Sequence, residues 1–242
     1  GGLARILKLV EKICPLARVY QASSSEMYGN VLGAAGSQAA LDETHKMQPV
    51  SPYGTSKYAA HMLADVYRQK DMFVVAGILF NHESPRRGAE MVTRKITKHV
   101  AGWAVNKKDK TPLVLGNLAA RRDWGFAGDY VRAMHAMLQQ EKPEDFVVGM
   151  GRSHSVEDFL RGSLEAAGLS YEEYHPLVQI NKAWFGRANE LRTLIADATK
   201  ARNQLNWWPE VSFDQLVKMM VEADMEEQRY TISSYAEAGT MK

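Results

Sequence analysis

Apolar residues occur at helical spacing in some segments and in short continuous runs in others, a pattern typical of an α/β protein. Because the helical segments alternate with the apolar runs, we predict a partial doubly wound parallel sheet with a smaller C-terminal α/β region. Helices are predicted at Leu3–Ile13, Pro52–Gln69, Met91–Val105, Gly128–Gln140, Ser155–Ala167, Asp197–Leu205 and Phe213–Met225. Strands are predicted at Arg18–Ser23, Phe73–Phe80, Leu113–Leu115 and Phe146–Val148, and residues 226–242 are predicted to be a loose tail.

Polar clusters follow two of the predicted strands. The sequence SSSEMYG occupies 23–29 at the end of the first strand, and NHESPRRG occupies 81–88 directly after the second. In open α/β sheets, ligands bind in the crevice beyond the carboxyl ends of the strands. We therefore expect a ligand site where these two clusters lie.

Tyr53 and Lys57 are four residues apart in SPYGTSK at 51–57, so they would share one face of a helix. A phenol has a pKa of about 10, but an ammonium about 4 Å away would favour the phenolate by up to about 4 kcal/mol. Such a pair suits proton removal from a sugar hydroxyl. A Tyr and a Lys at this spacing also occur often by chance, so the pair alone does not establish catalysis.

The segments ASSSEMYG, SPYGTSK, GILFNHESPRRG, VTRKIT and RRDWG together resemble the GDP-mannose 4,6-dehydratases of the extended short-chain dehydrogenase/reductase family. The resemblance runs from about Gly2 to about Met225 and implies a Rossmann-like fold. It implies that Tyr53 and Lys57 act with a tightly held NADP, and that Ser24 and Glu26 carry the dehydration. NHESPRRG is the most specific of these motifs.

The resemblance also implies further binding residues. His82 and Arg87 would flank the cofactor, and the GDP-sugar would be bound by Asn81, Lys95, Arg122, Arg187 and Glu190. Arginine suits phosphate because it offers paired N–H donors. The substrate-binding parts would be mainly 81–125 and 150–225 of a single domain at 1–242. The chain departs from the family at Phe126, where a His is usual, and at 186–188, where a Phe-Arg-Pro pattern has become Gly-Arg-Ala.

Four features allow simpler interpretations. His82 taken alone could be a buried structural histidine, and Arg122 a surface charge. Asp42–Glu43 resembles an acidic pair of the family but could equally be a solvated loop. Gly149-Met150-Gly151 looks like a dinucleotide-binding turn, yet His154 stands where a third glycine is needed, so we do not predict a phosphate site there.

The activity implied is the NADP-dependent removal of water from GDP-mannose to give the 4-keto-6-deoxy sugar nucleotide, in a homo-oligomer (dimer or tetramer) when complete. Compared with the family, the opening βαβ units and their glycine-rich turn are expected to be missing, so we expect the chain alone to be poorly soluble, to bind NADP weakly or not at all, and not to turn over GDP-mannose. The alternative is a non-catalytic, truncated paralogue that binds a GDP-sugar or a full-length partner.

Composition narrows the remaining classes of function. The 242 residues are 45% hydrophobic and carry a formal net charge of +2, which is ordinary for a globular protein and argues against a nucleic-acid partner. The single cysteine excludes an internal disulfide, and no apolar run approaches the length of a membrane span. No metal site is predicted, and a cytoplasmic location is the default expectation.

Overall fold

A computed structural model describes residues 1–30, 40–184 and 193–240. The helices are α1 (Gly2–Ile13), α2 (Pro52–Arg68), α3 (Val92–Val105), α4 (Ala127–Gln139), α5 (Val156–Ala166), α6 (Tyr171–Tyr174), α7 (Thr199–Leu205) and α8 (Phe213–Thr240). The longer strands are β1 (Val19–Ser24), β3 (Val74–Leu79) and β8 (Asp145–Val148). The short strands are β2 (Ala40–Leu41), β4 (Asn81–Glu83), β5 (Leu113–Leu115), β6 (Arg121–Arg122), β7 (Trp124–Phe126), β9 (His154–Ser155), β10 (Val178–Ile180) and β11 (Ile195–Ala196).

The chain divides into two compact units. The first unit comprises residues 1–82, 121–153 and 188–210, and the second comprises 83–120, 154–187 and 211–242. Each unit is therefore assembled from three separate segments of the sequence.

The first unit is built on a parallel sheet in the order β1-β3-β8. Ser23 is paired with Ile78, and Ile78 in turn with Val147. All six residues of β3 are buried, which agrees with the continuous apolar run that predicted this strand. The core on one side includes Phe146, Tyr130 and Trp207, and a second cluster includes Tyr28, Phe80 and Leu41. The parallel sheet confirms the predicted α/β class.

The second unit contains α3, α5 and α8 and the two-stranded parallel sheet of β5 and β10. Ile96, Val100 and Trp103 on α3 are fully buried, as the apolar stripe predicted. α5 begins with a capping box in which Ser155 accepts from the Asp158 N–H and the Asp158 carboxylate accepts from the Ser155 N–H. Gly168, with φ of +68°, follows the last turn of α5, as expected for a residue that ends a helix.

Two details of the sequence prediction are wrong. The segment after Met225 is not a loose tail, because α8 continues through it to Thr240. Apolar periodicity missed this part, which is polar and in which Glu227 forms an ion pair with Arg94 of α3. On α2, Val66 was expected to be buried but is 45% exposed, and the buried positions are Gly54, His61 and Ala64.

Within the described residues, every helix is too short or too polar to cross a membrane.

Candidate active site

Ser24 and Glu26 lie where β1 ends and the chain enters a short 3-10 helix at Ser25–Tyr28. The Ser24 hydroxyl accepts from the Glu26 backbone N–H at 3.2 Å and so caps this turn. The Glu26 carboxylate accepts from the Ser51 hydroxyl at 3.0 Å. The two residues predicted to carry the dehydration are therefore adjacent in space, and one of them is fixed to the start of α2.

Ser51 is the N-cap of α2, because its hydroxyl oxygen also accepts from the Gly54 N–H at 2.9 Å. The Ser51 hydroxyl thus accepts a hydrogen bond from a helix N–H and donates one to Glu26. The sequence identified Ser51 as a helix cap but gave no signal for its contact with Glu26, which needs the folded turn at the end of β1.

Tyr53 and Lys57 stand on the first two turns of α2. The Tyr53 side chain is half-exposed, and the Lys57 ammonium lies 5.6 Å from the centre of its ring. The same ammonium donates to the Ala22 carbonyl of β1 at 2.9 Å. The expected pairing of a phenol and an ammonium on one helix face is present, and Lys57 is held beside the strand that leads to Ser24.

Asn81 and His82 follow β3 at the same end of the sheet as Ser24, since Ser24 and Leu79 are partners in the parallel register. Both side chains are half-buried. His82 Nδ1 lies 2.8 Å from the Phe80 carbonyl oxygen, and because a carbonyl only accepts, Nδ1 carries the hydrogen. The ring stacks on Tyr130, with ring centres 4.9 Å apart, so packing and hydrogen bonding fix its orientation.

Arg122 precedes a buried carboxylate, Asp123, that the sequence analysis did not single out. Asp123 accepts from the backbone N–H groups of Met150, Gly151 and Ala196, at 2.8, 2.9 and 3.0 Å respectively. Burial raises its pKa to about 6, while the three N–H donors and Arg202 act in the opposite direction. Asp123 therefore fixes the chain next to Arg122, whose guanidinium is half-buried and donates to the Arg121 carbonyl.

The Gly149–Gly151 turn does bind an anion, but that anion is the carboxylate of Asp123. Gly151 has φ of +77°, and a Cβ at Gly149 would lie 2.3 Å from the Ala196 Cβ. The glycines are explained by a positive φ at one position and close packing at the other. This supports the prediction that the turn is not a phosphate site.

Asp42 and Glu43 have structural partners within the first unit. Asp42 accepts from the Thr44 N–H at 2.9 Å, which is a local turn contact. Glu43 accepts from the Val147 N–H at 2.6 Å, and burial raises the pKa of its carboxyl. Glu43 thus satisfies the backbone of β8, a role that neither interpretation of this acidic pair anticipated.

In the second unit, Arg87 forms an ion pair with Glu83, with Nε and Oε2 3.2 Å apart. Glu83 is buried, which raises its pKa, whereas Arg87 and the Thr93 hydroxyl lower it. Arg87 was predicted to flank the cofactor, and part of its charge is already balanced by Glu83.

Arg94 and Lys95 both match the basic part of VTRKIT, but their surroundings differ. Arg94 is buried, with its guanidinium on the Asp224 carboxylate and the Pro85 carbonyl. Lys95 is half-buried, with its ammonium 4.5 Å from the centre of the Trp184 ring. Arg94 is therefore structural, whereas the ligand-binding role of Lys95 stays a prediction.

The remaining predicted positions add little geometry. Arg187 and Glu190, expected to bind substrate, lie outside the described residues. The Phe126 ring packs against Gly128, where an added Cβ would lie 2.3 Å from a ring carbon.

The side chains at the end of β1 and the start of α2 fit the ribose end of a nicotinamide dinucleotide. The half-exposed Tyr53 hydroxyl and the Lys57 ammonium offer hydrogen-bond donors to vicinal ribose hydroxyls. The pyrophosphate does not fit the Gly149–Gly151 turn, because Asp123 already accepts from the Met150 and Gly151 N–H groups.

Comparisons with solved structures agree with this fold. A dTDP-glucose 4,6-dehydratase from Bacillus anthracis, solved with NAD, superposes with a TM-score of 0.79 at 21% identity over 95% of this chain and 68% of that chain. A protein named RMD from Pseudomonas aeruginosa, complexed with NADPH, gives a TM-score of 0.80 at 18% identity over 93% of this chain and 72% of that chain.

Sequence comparisons identify closer relatives. GDP-mannose 4,6 dehydratase 2 of Arabidopsis thaliana is 49% identical over 86% of this chain and 53% of its own length. The human GDP-mannose 4,6 dehydratase is 42% identical over 93% of this chain and 63% of its own length. This chain thus spans between about half and two thirds of the length of these curated relatives. The family described as GDP-mannose 4,6 dehydratase matches residues 1–220, so the chain belongs to that family.

Proposed function

We propose that this chain carries the catalytic residues of a GDP-mannose 4,6-dehydratase, a hydro-lyase that converts GDP-mannose to GDP-4-keto-6-deoxy-mannose, an intermediate of GDP-fucose and deoxyhexose synthesis. One observation carries the proposal. Two sequence motifs, at 22–29 and 51–57, are joined by two hydrogen bonds, Ser51 to Glu26 and Lys57 to the Ala22 carbonyl. The four side chains needed for oxidation and dehydration are thereby gathered around one strand end.

The roles follow from the chemistry of each side chain. Tyr53, with Lys57 beside it, takes the proton of the sugar C4 hydroxyl. The ketone formed at C4 acidifies the C5 hydrogen, which Glu26 removes. Ser24, with Glu26, then delivers a proton to the C6 hydroxyl as it leaves as water. The chemistry that bound NADP supplies is removal of hydride from C4 and its return at C6. Tyr53 then gives back to C5 the proton that it took from the C4 hydroxyl, which restores the hydrogen lost there and the phenolate.

Binding roles are proposed for the remaining residues. Tyr53, Lys57, His82 and Arg87 would hold NADP. Asn81 would face the sugar, and Lys95 and Arg122 would meet the diphosphate, since both are cationic and neither is fully buried. Arg187 and Glu190 keep the substrate role that the family resemblance gives them.

We further propose that the complete form is a cytoplasmic homo-oligomer, a dimer or tetramer. Support comes from apolar side chains that are exposed in the first unit, among them Ile13 and Leu16 near the end of α1, and Met62 and Val66 on α2. Exposed apolar groups of this kind are typical of surfaces that associate. Light scattering on the purified protein would give the mass directly.

The test is to incubate the protein with GDP-mannose and either NADP or NAD and to weigh the nucleotide product by mass spectrometry. We would use this chain and, in parallel, a fusion that supplies the N-terminal segment of the Arabidopsis relative. The proposal predicts loss of one water from GDP-mannose in at least one preparation, with NADP preferred over NAD. Binding of GDP-mannose without any loss of water in either preparation would favour the non-catalytic alternative.

A further inference from the structure

His61 lies in the first unit on α2, two turns beyond Tyr53, and is only 7% exposed. Its Nδ1 is 2.9 Å from the Ser23 hydroxyl of β1. Its Nε2 is 3.5 Å from the Asp145 carboxylate at the start of β8. A single imidazole thus connects α2 to the two outer strands of the sheet β1-β3-β8.

This Ser-His-Asp arrangement is not a nucleophilic site. Ser23 is 4% exposed, so a substrate cannot reach its hydroxyl in the folded protein. A buried polar group that meets no substrate contributes by holding its neighbours in place, because leaving it unpaired would cost about 1–3 kcal/mol.

The charges around His61 favour one protonation state. Burial lowers the pKa of the imidazole, and Arg68 adds to this, while Asp145 and Asp65 oppose it. Asp145 is itself paired with Arg68, whose Nη2 is 2.6 Å from Oδ1. A neutral ring with its hydrogen on Nε2 accepts from the Ser23 hydroxyl at Nδ1 and directs that hydrogen towards the Asp145 carboxylate, so both contacts are favourable.

His61 and Lys57 are one helical turn apart and bind consecutive residues of β1. The Lys57 ammonium donates to the Ala22 carbonyl, and His61 accepts from Ser23, so Ser24 is the next residue in the strand. Two contacts one turn apart fix both the rotation and the height of α2 along β1.

We infer that His61 is a positioning residue that, through Ser23 and Asp145, sets where Tyr53 and Lys57 stand relative to Ser24. The inference rests on the proposed function for its effect on catalysis. The sequence offers one signal for it, the spacing of four residues from Lys57, which places His61 on the same helix face.

Acid should disturb this arrangement. A protonated imidazole carries hydrogen on both nitrogens, so Nδ1 no longer accepts from Ser23 and the contact must reverse or break. The groups that face the ring are Ser23 from β1, Asp145 from β8, and Asp65 and Arg68 from α2 itself. None of them replaces the acceptor that Ser23 loses.

Two substitutions separate the two contacts of the ring. In His61→Asn the amide oxygen stands close to the place of Nδ1 and can still accept from Ser23. In His61→Gln the amide reaches towards Asp145 and leaves Ser23 without its acceptor. Ser23→Ala removes the same contact from the other side, and Ala59→Gln, at an exposed position of α2, is the matched control.

The experiment combines turnover with a measurement that does not need turnover. We expect kcat for GDP-mannose to fall about tenfold in His61→Gln and Ser23→Ala with KM nearly unchanged, and to fall less than about threefold in His61→Asn, since small misplacements of reacting groups are costly. The decrease in kcat at low pH should be smaller in His61→Asn than in the normal protein. Equal kcat in all four variants would overturn the inference. So would a decrease in kcat at low pH that is the same in His61→Asn as in the normal protein.

Nuclear magnetic resonance of labelled imidazole and tyrosine rings provides the second measurement. We expect a neutral ring with hydrogen on Nε2 at pH 7, and a shift of the Tyr53 signals that follows the titration of His61 and disappears in His61→Asn. A hydrogen on Nδ1, or Tyr53 signals that ignore the titration, would contradict the inference. If this coupling is present but no preparation dehydrates GDP-mannose, the proposed function fails while the positioning role stands.

Discussion

The Ser51 hydroxyl donates to the Glu26 carboxylate at 3.0 Å while it caps the helix that carries Tyr53. This single oxygen joins the proposed C5 base to the helix of the proposed C4 base. Positions of the two groups relative to one sugar ring are therefore coupled, although the residues are far apart in the sequence.

Ser51→Ala tests this coupling. Loss of the cap is expected to destabilise the protein by about 1 kcal/mol, and loss of the donor to Glu26 should reduce turnover as well. Ser155→Ala is the matched control, because Ser155 caps α5 in the same way in the second unit. In thermal unfolding both variants should lose stability, whereas only Ser51→Ala should also lose kcat. If both lose stability and turnover alike, the Glu26 contact has no catalytic importance.

Glu26→Gln tests the proposed base for C5. The amide keeps the shape of the side chain and can still accept from Ser51, but it cannot take a proton. In deuterated water the normal protein should place solvent deuterium at C5, and the variant should not. Exchange at C5 at the normal rate in Glu26→Gln would rule out this assignment.

Truncation of Arg94 should lower stability, whereas truncation of Lys95 should weaken substrate binding. Arg94→Ala leaves the Asp224 carboxylate buried and without its main cation, so we expect a loss of about 3–5 kcal/mol in the free energy of unfolding. Lys95→Ala should leave stability almost unchanged and raise KM for GDP-mannose. Urea unfolding and steady-state kinetics on both variants give the comparison. A stable Arg94→Ala protein with a raised KM would reverse the two assignments.

Asp123 should make stability depend on pH in a defined window. Because its pKa is raised to about 6 in the folded protein, its contribution to stability is full below about pH 4 and is lost as pH rises through about 6. The difference in unfolding free energy between the normal protein and Asp123→Asn should therefore change across this window. Asp109→Asn should show the opposite sign, because the Thr111 hydroxyl and N–H lower the pKa of Asp109. If the difference in unfolding free energy between the normal protein and Asp123→Asn does not change with pH, Asp123 is not a buried carboxylate with a raised pKa.

The strands of the parallel sheet and the helices between them could be predicted from the sequence, because each is indicated by a pattern of neighbouring residues. The apolar run at 73–80 and the Ser51-Pro52 start of α2 placed β3 and α2 to within one or two residues. The extension of α8 beyond Met225 could not be predicted in this way, since it lacks apolar periodicity and its Glu227 is paired with Arg94, 133 residues away in the sequence.

Site prediction met a similar limit. Motifs identified Ser24, Glu26, Tyr53 and Lys57 without knowledge of the fold. They named Lys95 as a binding residue, but they gave no structural role to Arg94, because that role depends on its contact with α8. The role of Asp123 was also hidden, since its three donors come from segments distant in the sequence.

The most direct measurement of the central claim is turnover of GDP-mannose by Tyr53→Phe beside the unsubstituted protein, both in the fusion that supplies the N-terminal segment, with binding of GDP-mannose measured on both. The ring is half-exposed and is retained, so the fold and the binding site should persist. Proton transfer by a positioned group contributes about 10²–10⁴ in rate, so we predict that kcat falls at least a hundredfold while the dissociation constant stays within about threefold. A fall in kcat of less than about tenfold would contradict the assignment of Tyr53 as the base and, with it, the proposed catalytic site at the end of β1.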